Sequence, residues 1–236
     1  MILCGGRSTE HEIALRSAKS VINALDRKKY RVEVCYIDKQ GCFLPLGEVG
    51  PIEEERELMR TTRQPRLSTI STFCHLVERL SQKSETLIVF PVLHGQTGED
   101  GEIQGFLQTL GVPYVGNRLT TSALCMDKGF ANDVFRACGI PEADYLTYTR
   151  TQWEADGKNS EAIALRISHS FGFPCFVKPA NNGSSVGVNR ATEETLAKAI
   201  EEAFRFDRRI VIEEEIHGHE LEVSVLGNTH PKASLP

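Results

Sequence analysis

The sequence predicts an α/β protein with a parallel sheet in its N-terminal part and a second α/β unit behind it. Three observations carry this. Residues 2–37 read as an apolar run, a Gly pair, a helical stripe and a β-branched run, in that order. A second apolar run at 87–93 ends in a Gly-rich turn, and the alternation of helical and strand patterns starts afresh after residue 117. Strand, Gly turn, helix and strand in succession make a βαβ unit, and its crossover helix requires a parallel sheet. The chain has 236 residues, 40% hydrophobic and 25% charged, an ordinary globular composition that suffices for a sizeable core.

Each element follows from its local pattern. Ile2, Leu3 and Cys4 form a short strand stopped by Gly5-Gly6. Ile13, Ala14, Ser17, Ala18, Val21, Ile22 and Leu25 recur at helix spacing, and residues 31–37 alternate as a strand. Residues 39–70, with Gly, Pro and the run Glu53-Glu54-Glu55, read as irregular chain and a solvated acidic loop. A helix over 71–82 and a strand over 87–93 follow, then the turn 94–101 and a helix over 102–110 stopped by Gly111 and Pro113. A boundary is expected near Gly116-Asn117. Beyond it come a helical stretch over 119–138, a strand at 145–149, a helix at 160–171 and a strand at 174–178. A Gly loop at 182–187, a helix at 193–204 and strands at 209–216 and 221–226 complete the chain. The resulting division is 1–117, 118–207 and 208–236.

Charge and cysteine content narrow the class. Lys+Arg is 27 and Asp+Glu 32, a formal charge of −5, so no basic face for nucleic acid is expected. The seven cysteines are scattered without a C-x-x-C pair and most sit beside apolar residues. They read as reduced structural thiols of a cytoplasmic protein. The N-terminus is too short for a signal segment, and the run at 87–93 falls far below the ~20 residues of a membrane span. No membrane association is expected.

Several familiar sites are excluded by their missing residues. There is no G-x-x-x-x-G-K-[ST] and no G-x-G-x-x-G after the first strand. His11-Glu12 opens like a zinc-protease helix, but the fifth position is Leu15; His217, His219 and His230 lack zinc-ligand spacing and read as an exposed turn. Four segments remain. Lys178-Pro179 followed by Asn182-Gly183-Ser184-Ser185-Val186-Gly187 places a strand-end cation before a loop of small residues. Such a loop lets backbone N–H groups approach phosphate, or is simply a flexible hairpin. In the run from Ile210 to Ile216 an apolar strand enters three carboxylates. That is either an edge strand with solvated acids or a pocket for adenosine, with Glu220 on the ribose. Gly5 to Glu12 leads a Gly turn into a helix N-terminus, with Ser8 as a possible N-cap and Glu10 available for an amine. His94 follows the second apolar run, at the end of a strand where open α/β sheets bind ligands.

Taken together these blocks resemble the D-alanine–D-alanine ligase family of the ATP-grasp superfamily. The matching residues are Gly5-Gly6-x-Ser8-x-Glu10-His11-Glu12, and His94-Gly95-x-x-Gly98-Glu99-Asp100-Gly101-x-Ile103-Gln104-Gly105. Met126-Asp127-Lys128, Lys178-Pro179 with Gly183 to Gly187, and Glu213 to Glu220 complete the set, in family order. The resemblance implies an N-terminal, Rossmann-like pre-ATP-grasp domain, a central lobe carrying the Gly loop, and the beginning of a C-terminal ATP-grasp lobe. It implies ATP-dependent ligation of two D-alanines through a D-alanyl phosphate, for peptidoglycan synthesis. Glu10 then holds the first D-alanine's ammonium, Ser184 orients Glu10, and His94 lies near the substrate carboxylate and the transferring phosphate. Lys128, Lys178, Ser185 and the Gly183–Gly187 loop contact ATP phosphates. Glu213, Glu215, Ile216 and Glu220 line the adenosine pocket, Glu215 and Ile216 largely through backbone atoms, and His11 receives no role. The family continues for roughly another hundred residues, a domain-sized piece. Its Mg²⁺ or Mn²⁺ ligands, transition-state Arg and second-substrate loop are therefore expected beyond Pro236, and these 236 residues alone are expected to show no ligation. D-lactate or D-serine as second substrate, and a non-catalytic nucleotide-binding paralogue, are the alternatives. The family is commonly homodimeric.

Overall fold

The computed structural model describes residues 1–82 and 86–236. Its N-terminal part is a four-stranded sheet in the order β3-β2-β1-β4. The strands are β1 (Ile2–Gly5), β2 (Glu33–Ile37), β3 (Phe43–Glu48) and β4 (Phe90–Leu93). β1 runs parallel to both neighbours, with Leu3 beside Cys35 on one side and Pro91 on the other. All four residues of β1 are buried, which explains an unbroken apolar run where a one-sided strand would alternate. Ile2 and Cys4 face α1 (His11–Ala24), packing on Leu15, Ala18 and Ile22. Leu3 faces the opposite core, where Phe73 and Val77 of α2 (Arg66–Ser81) meet Leu107 of α3 (Glu102–Thr109).

Residues 39–70 are more ordered than their composition suggests. β3 pairs antiparallel with β2 across a register shift at Val34/Cys35, so its Pro45 and Gly47 are accommodated at a sheet edge. The turn between them is tied by Asp38 Oδ1, which accepts from the backbone N–H of Gln40 and Cys42. The acidic run is not a plain solvated loop either: Glu54 and Glu57 form a capping box on the 3₁₀ turn Glu55–Leu58. The strand expected from residue 87 begins at Phe90, Val89 making only an isolated bridge to Tyr114.

The stretch 119–138 is two helices, α4 (Leu119–Met126) and α5 (Lys128–Ala137). Asp127 breaks it with extended backbone and caps α5 by accepting from Phe130 N at 3.0 Å. There follow β5 (Tyr145–Thr149), α6 (Arg150–Ala155), α7 (Ser160–Ser170), β6 (Cys175–Pro179), β7 (Asn189–Ala191), α8 (Leu196–Ala203) and β8 (Arg209–Glu214). Their strands form an antiparallel sheet in the order β5-β8-β6-β7. Cys175, Val177, Ile210 and Ile212 bury one face against Ile167, Leu196 and Ile200. β8 is therefore a central strand, which overturns the edge-strand alternative for its carboxylates. The strand expected over 221–226 shrinks to β9 (Val225–Leu226), paired only with β10 (Lys232–Ala233). Residues 216–236 are all exposed, so an alternating pattern there has no core to face.

Cys4, Cys35, Cys42 and Cys175 are buried, whereas Cys125 and Cys138 are exposed, contrary to a uniformly structural reading. Among the described residues no helix is long and apolar enough to cross a membrane.

Candidate active site

Three segments meet at the C-terminal ends of β1 and β4: the turn 5–10, the turn 94–101 and the loop 182–187. β1 is the strand from which the sheet order runs outward in both directions, the position where open α/β sheets bind ligands. Glu10 is the meeting point. Its Oε1 accepts a 2.5 Å hydrogen bond from Ser184 Oγ, 174 residues away. Its Oε2 lies 2.4 Å from where a Cβ on Gly95 would stand and 3.2 Å from one on Gly183. Gly95 also has φ +69°, so both the backbone and the carboxylate beside it require glycine.

The first turn is braced from below. His11 is fully buried, and its Nδ1 is 2.7 Å from the carbonyl of Gly6. A carbonyl only accepts, so Nδ1 carries the proton and Nε2 accepts from the Tyr36 hydroxyl at 3.2 Å. His11 is thus a strut for the Gly pair. Ser8 is not the N-cap: that position of α1 is Glu10, with no side-chain cap bond. Ser8 Oγ instead donates to the His94 carbonyl at 2.7 Å and accepts from Glu10 N at 3.1 Å, tying the two turns together.

The His94 ring is held by Ser17 of α1 and by Glu99 of its own turn. Nε2 is 2.9 Å from Ser17 Oγ and Nδ1 is 3.6 Å from Glu99 Oε1. Glu99 Oε2 accepts from Gly95 N at 2.7 Å, and Asp100 Oδ2 accepts from Thr97 N at 2.7 Å. Both acids therefore build the turn. Ser17 lies on the apolar stripe of α1, and a hydroxyl on that stripe is the signal for a half-buried polar contact.

The cations come from the second part. Lys178 on β6 and Glu213 on β8 are diagonal neighbours, Lys178 facing Val211 and Phe176 facing Glu213 in register, on the face opposite the α7–α8 core. Their side chains form an ion pair. Lys128 Nζ donates to the carbonyl of Asn182 at 2.6 Å, and its backbone N–H to that of Ala180 at 3.0 Å. Desolvation holds the Lys128 ammonium below the usual lysine value; Glu213 opposes that shift and Lys178 adds to it. The loop is anchored at its start. Asn181 donates from N and Nδ2 to Asp207 Oδ2 at 2.7 and 2.9 Å, and from Nδ2 to Asp127 Oδ2 at 3.3 Å. Asp207 had no sequence signal beyond its place in a turn. Ser184 and Ser185 have φ +49° and +56°, a left-handed pair that non-glycine residues rarely adopt, as at other ligand-clamping loops. Gly187 closes the loop against Phe206 and Pro179.

The structure thus gathers Glu10, Gly183, Ser184 and His94 in one cluster, with Lys128, Lys178 and Glu213 joined to it through the loop. Ser185 and Gly187 lie on that loop. Glu215 is engaged elsewhere: Arg190 grips both its oxygens at 2.7 and 2.9 Å, and that hydrogen-bonded guanidinium holds the carboxyl below the usual carboxylate range. Ile216 is 64% exposed and Glu220 is exposed, and among the described residues neither side chain bonds to the cluster. Among the described residues no group of three or more His, Cys, Asp or Glu is arranged to hold a metal ion.

A parallel-sheet unit joined through a Gly loop to an antiparallel lobe is a two-part ligase fold of the ATP-grasp kind. The family description "D-ala D-ala ligase N-terminus" matches residues 1–117, and "D-ala D-ala ligase C-terminus" matches residues 134–236. The chain belongs to the D-alanine–D-alanine ligase family. It is 40% identical to the D-alanine–D-alanine ligase of Bacillus cytotoxicus, over 99% of this chain and 65% of that protein. To the D-alanine–D-alanine ligase of Finegoldia magna it is 42% identical, over 100% of this chain and 64% of that protein. The chain therefore spans less than two-thirds of the length of these curated relatives, 65% and 64%. Among solved structures, the D-alanine-D-alanine ligase from Coxiella burnetii superposes with TM-score 0.75 at 36% identity, covering 99% of this chain and 68% of that one. The VanG D-Ala:D-Ser ligase from Enterococcus faecalis gives 0.72 at 27% identity, covering 98% and 66%.

Proposed function

We propose that this site serves the ATP-dependent joining of two D-alanines through a D-alanyl phosphate, supplying the dipeptide for peptidoglycan in the cytoplasm. The observation that carries the reading is the bond between Glu10 and Ser184. It sets a carboxylate at the mouth of the parallel sheet and ties the Gly loop to it. Glu10 binds the ammonium of the first D-alanine, and Ser184 fixes the carboxylate's orientation. His94, steadied by Ser17, lies beside the substrate carboxylate.

The residues present fit a triphosphate. Lys128 and Lys178 border a loop whose left-handed serines and glycines bring backbone close to a bound anion. When bound, ATP supplies the phosphoryl group that activates the first carboxylate. The lysines neutralise phosphate charge, Ser185 and the loop cover it, and Glu213 keeps the Lys178 ammonium in place. Glu213, Glu215, Ile216 and Glu220 form the adenosine side. A divalent ion belongs to the proposal through the family, and its ligands are assigned to no described residue.

The test is D-alanine-dependent phosphate release from ATP by the full-length protein. Release with D-alanine alone supports the reading; release requiring D-serine or D-lactate as second partner replaces it. For the residues, Glu10→Gln raises the D-alanine concentration needed and spares ATP affinity, whereas Lys178→Ala weakens ATP binding. The reverse pattern would place Glu10 at the nucleotide.

A further inference from the structure

The same two turns border a second cleft, of about 310 Å³, that the ligation does not use. Its apolar lining includes Phe43, Phe106, Ile70 and Leu93, and its polar groups include Arg7, Arg66 and Glu102. A Cβ placed on Gly41 would stand 2.6 Å from Arg7 Cδ and 3.3 Å from Arg66 Cδ, so the stems of both side chains run past this glycine. Among the described residues neither guanidinium makes a hydrogen bond or an ion pair. Both arginines are exposed, and the carboxylate in the lining is Glu102. Desolvation and Asp100 raise its pKa, and Arg7 and Arg66 act in the opposite sense. Two cations and one acid leave a single positive charge over an apolar floor. Phe43 and Phe106 contribute rings 5.9 Å apart between centroids and tilted at 56°.

We propose that this cleft binds a small monocarboxylate with a compact apolar body. The carboxylate sits between Arg7 and Arg66, and the hydrocarbon lies on Phe43 and Phe106. Planar guanidinium groups match carboxylate geometry, and a mostly apolar pocket with a few convergent polar groups is the usual form of a small-molecule site. The inference does not depend on the proposed ligation.

The experiment is calorimetric titration of the chain with 3-phenylpropanoate and, separately, with the uncharged 3-phenylpropanamide. The carboxylate is expected to bind one site, with the amide weaker by about tenfold or more, the worth of a charge-assisted hydrogen bond. Arg66→Ala and Arg7→Ala each weaken the carboxylate by a similar factor. Arg118→Ala, on a surface outside the cleft, leaves it unchanged, and so does Glu10→Gln. No binding, equal affinity for acid and amide, or indifference to both arginine variants overturns the proposal. So does binding lost in Glu10→Gln but kept in Arg66→Ala, which would move the carboxylate to the Glu10 site. The comparison of acid with amide needs no variant and decides the matter even where a substitution disturbs folding.

Discussion

Gly95→Ala tests the geometry around Glu10 most directly. The added Cβ would stand 2.4 Å from Glu10 Oε2, while the next contacts, to Glu10 Cδ and Ser8 Cβ, are at an ordinary 3.4 Å. The collision is therefore with one carboxylate oxygen. Two costs add. Alanine at φ +69° carries the left-handed penalty, about 1–2 kcal/mol. Moving the carboxylate breaks its bond from Ser184, worth about 1 kcal/mol where solvent reaches the pair. Gly95→Ala is expected to lose about 2–3 kcal/mol of unfolding free energy in urea. In a Glu10→Ala background the oxygen is gone, so only the backbone penalty remains, about 1–2 kcal/mol. The difference between backgrounds is the coupling of the two positions, about 1 kcal/mol. Equal losses in both would refute the placement of Glu10 against Gly95.

Lys178→Ala leaves the Glu213 carboxylate without its cation; that side chain is only 14% exposed. A loss of about 1–3 kcal/mol is expected, partly recovered by Glu213→Gln in the same chain, as read by urea unfolding. Full stability in Lys178→Ala would mean the pair carries no weight. Alkaline pH should weaken the N-terminal sheet. Burial pushes the Cys4 thiol up to about 12 and, with Asp38 adding, the Tyr36 phenol to about 12, against ordinary values of 9.0 and 10.0. The unfolded chain then binds fewer protons than the folded one, from about pH 9 for the thiol and pH 10 for the phenol. Stability is full below those values and falls as pH rises toward 12; Cys4→Ala and Tyr36→Phe each flatten the decline in thermal melts. Asn181→Ala removes the Nδ2 bonds to Asp207 and Asp127 and leaves only the backbone N–H bond to Asp207, so amide exchange over residues 182–188 should quicken while the core of α8 stays protected. Unchanged exchange in the loop would show that Asn181 does not anchor it.

Much of the fold was legible because its signals are local. The βαβ opening, the turn after the second apolar run, the strand at 145–149 and the helix near 160–170 each follow from periodicity and stop residues. Asp127 was quoted in a motif, yet its breaking of a helical pattern depends on the bonds it finds in Phe130 and Asn181. β3 was missed because Pro45 and Gly47 argue against a strand, and only the neighbouring β2 makes an edge position available for them.

Residue types and their order determined the chemistry of this chain: a Gly turn before a carboxylate, a histidine at a strand end, and a lysine ahead of a small-residue loop. Folding decided which of them meet. Sequence spacing is silent about a contact spanning 174 residues, and only the packing of two sheets brings the Ser184 hydroxyl to Glu10. The central place of β8 set Glu213 beside Lys178 while Arg190 took Glu215, because strand order, not sequence, fixes which side chains share a face. Arg7 and Arg66, 59 positions apart in the chain, came to line one cleft beside Gly41 in the same way.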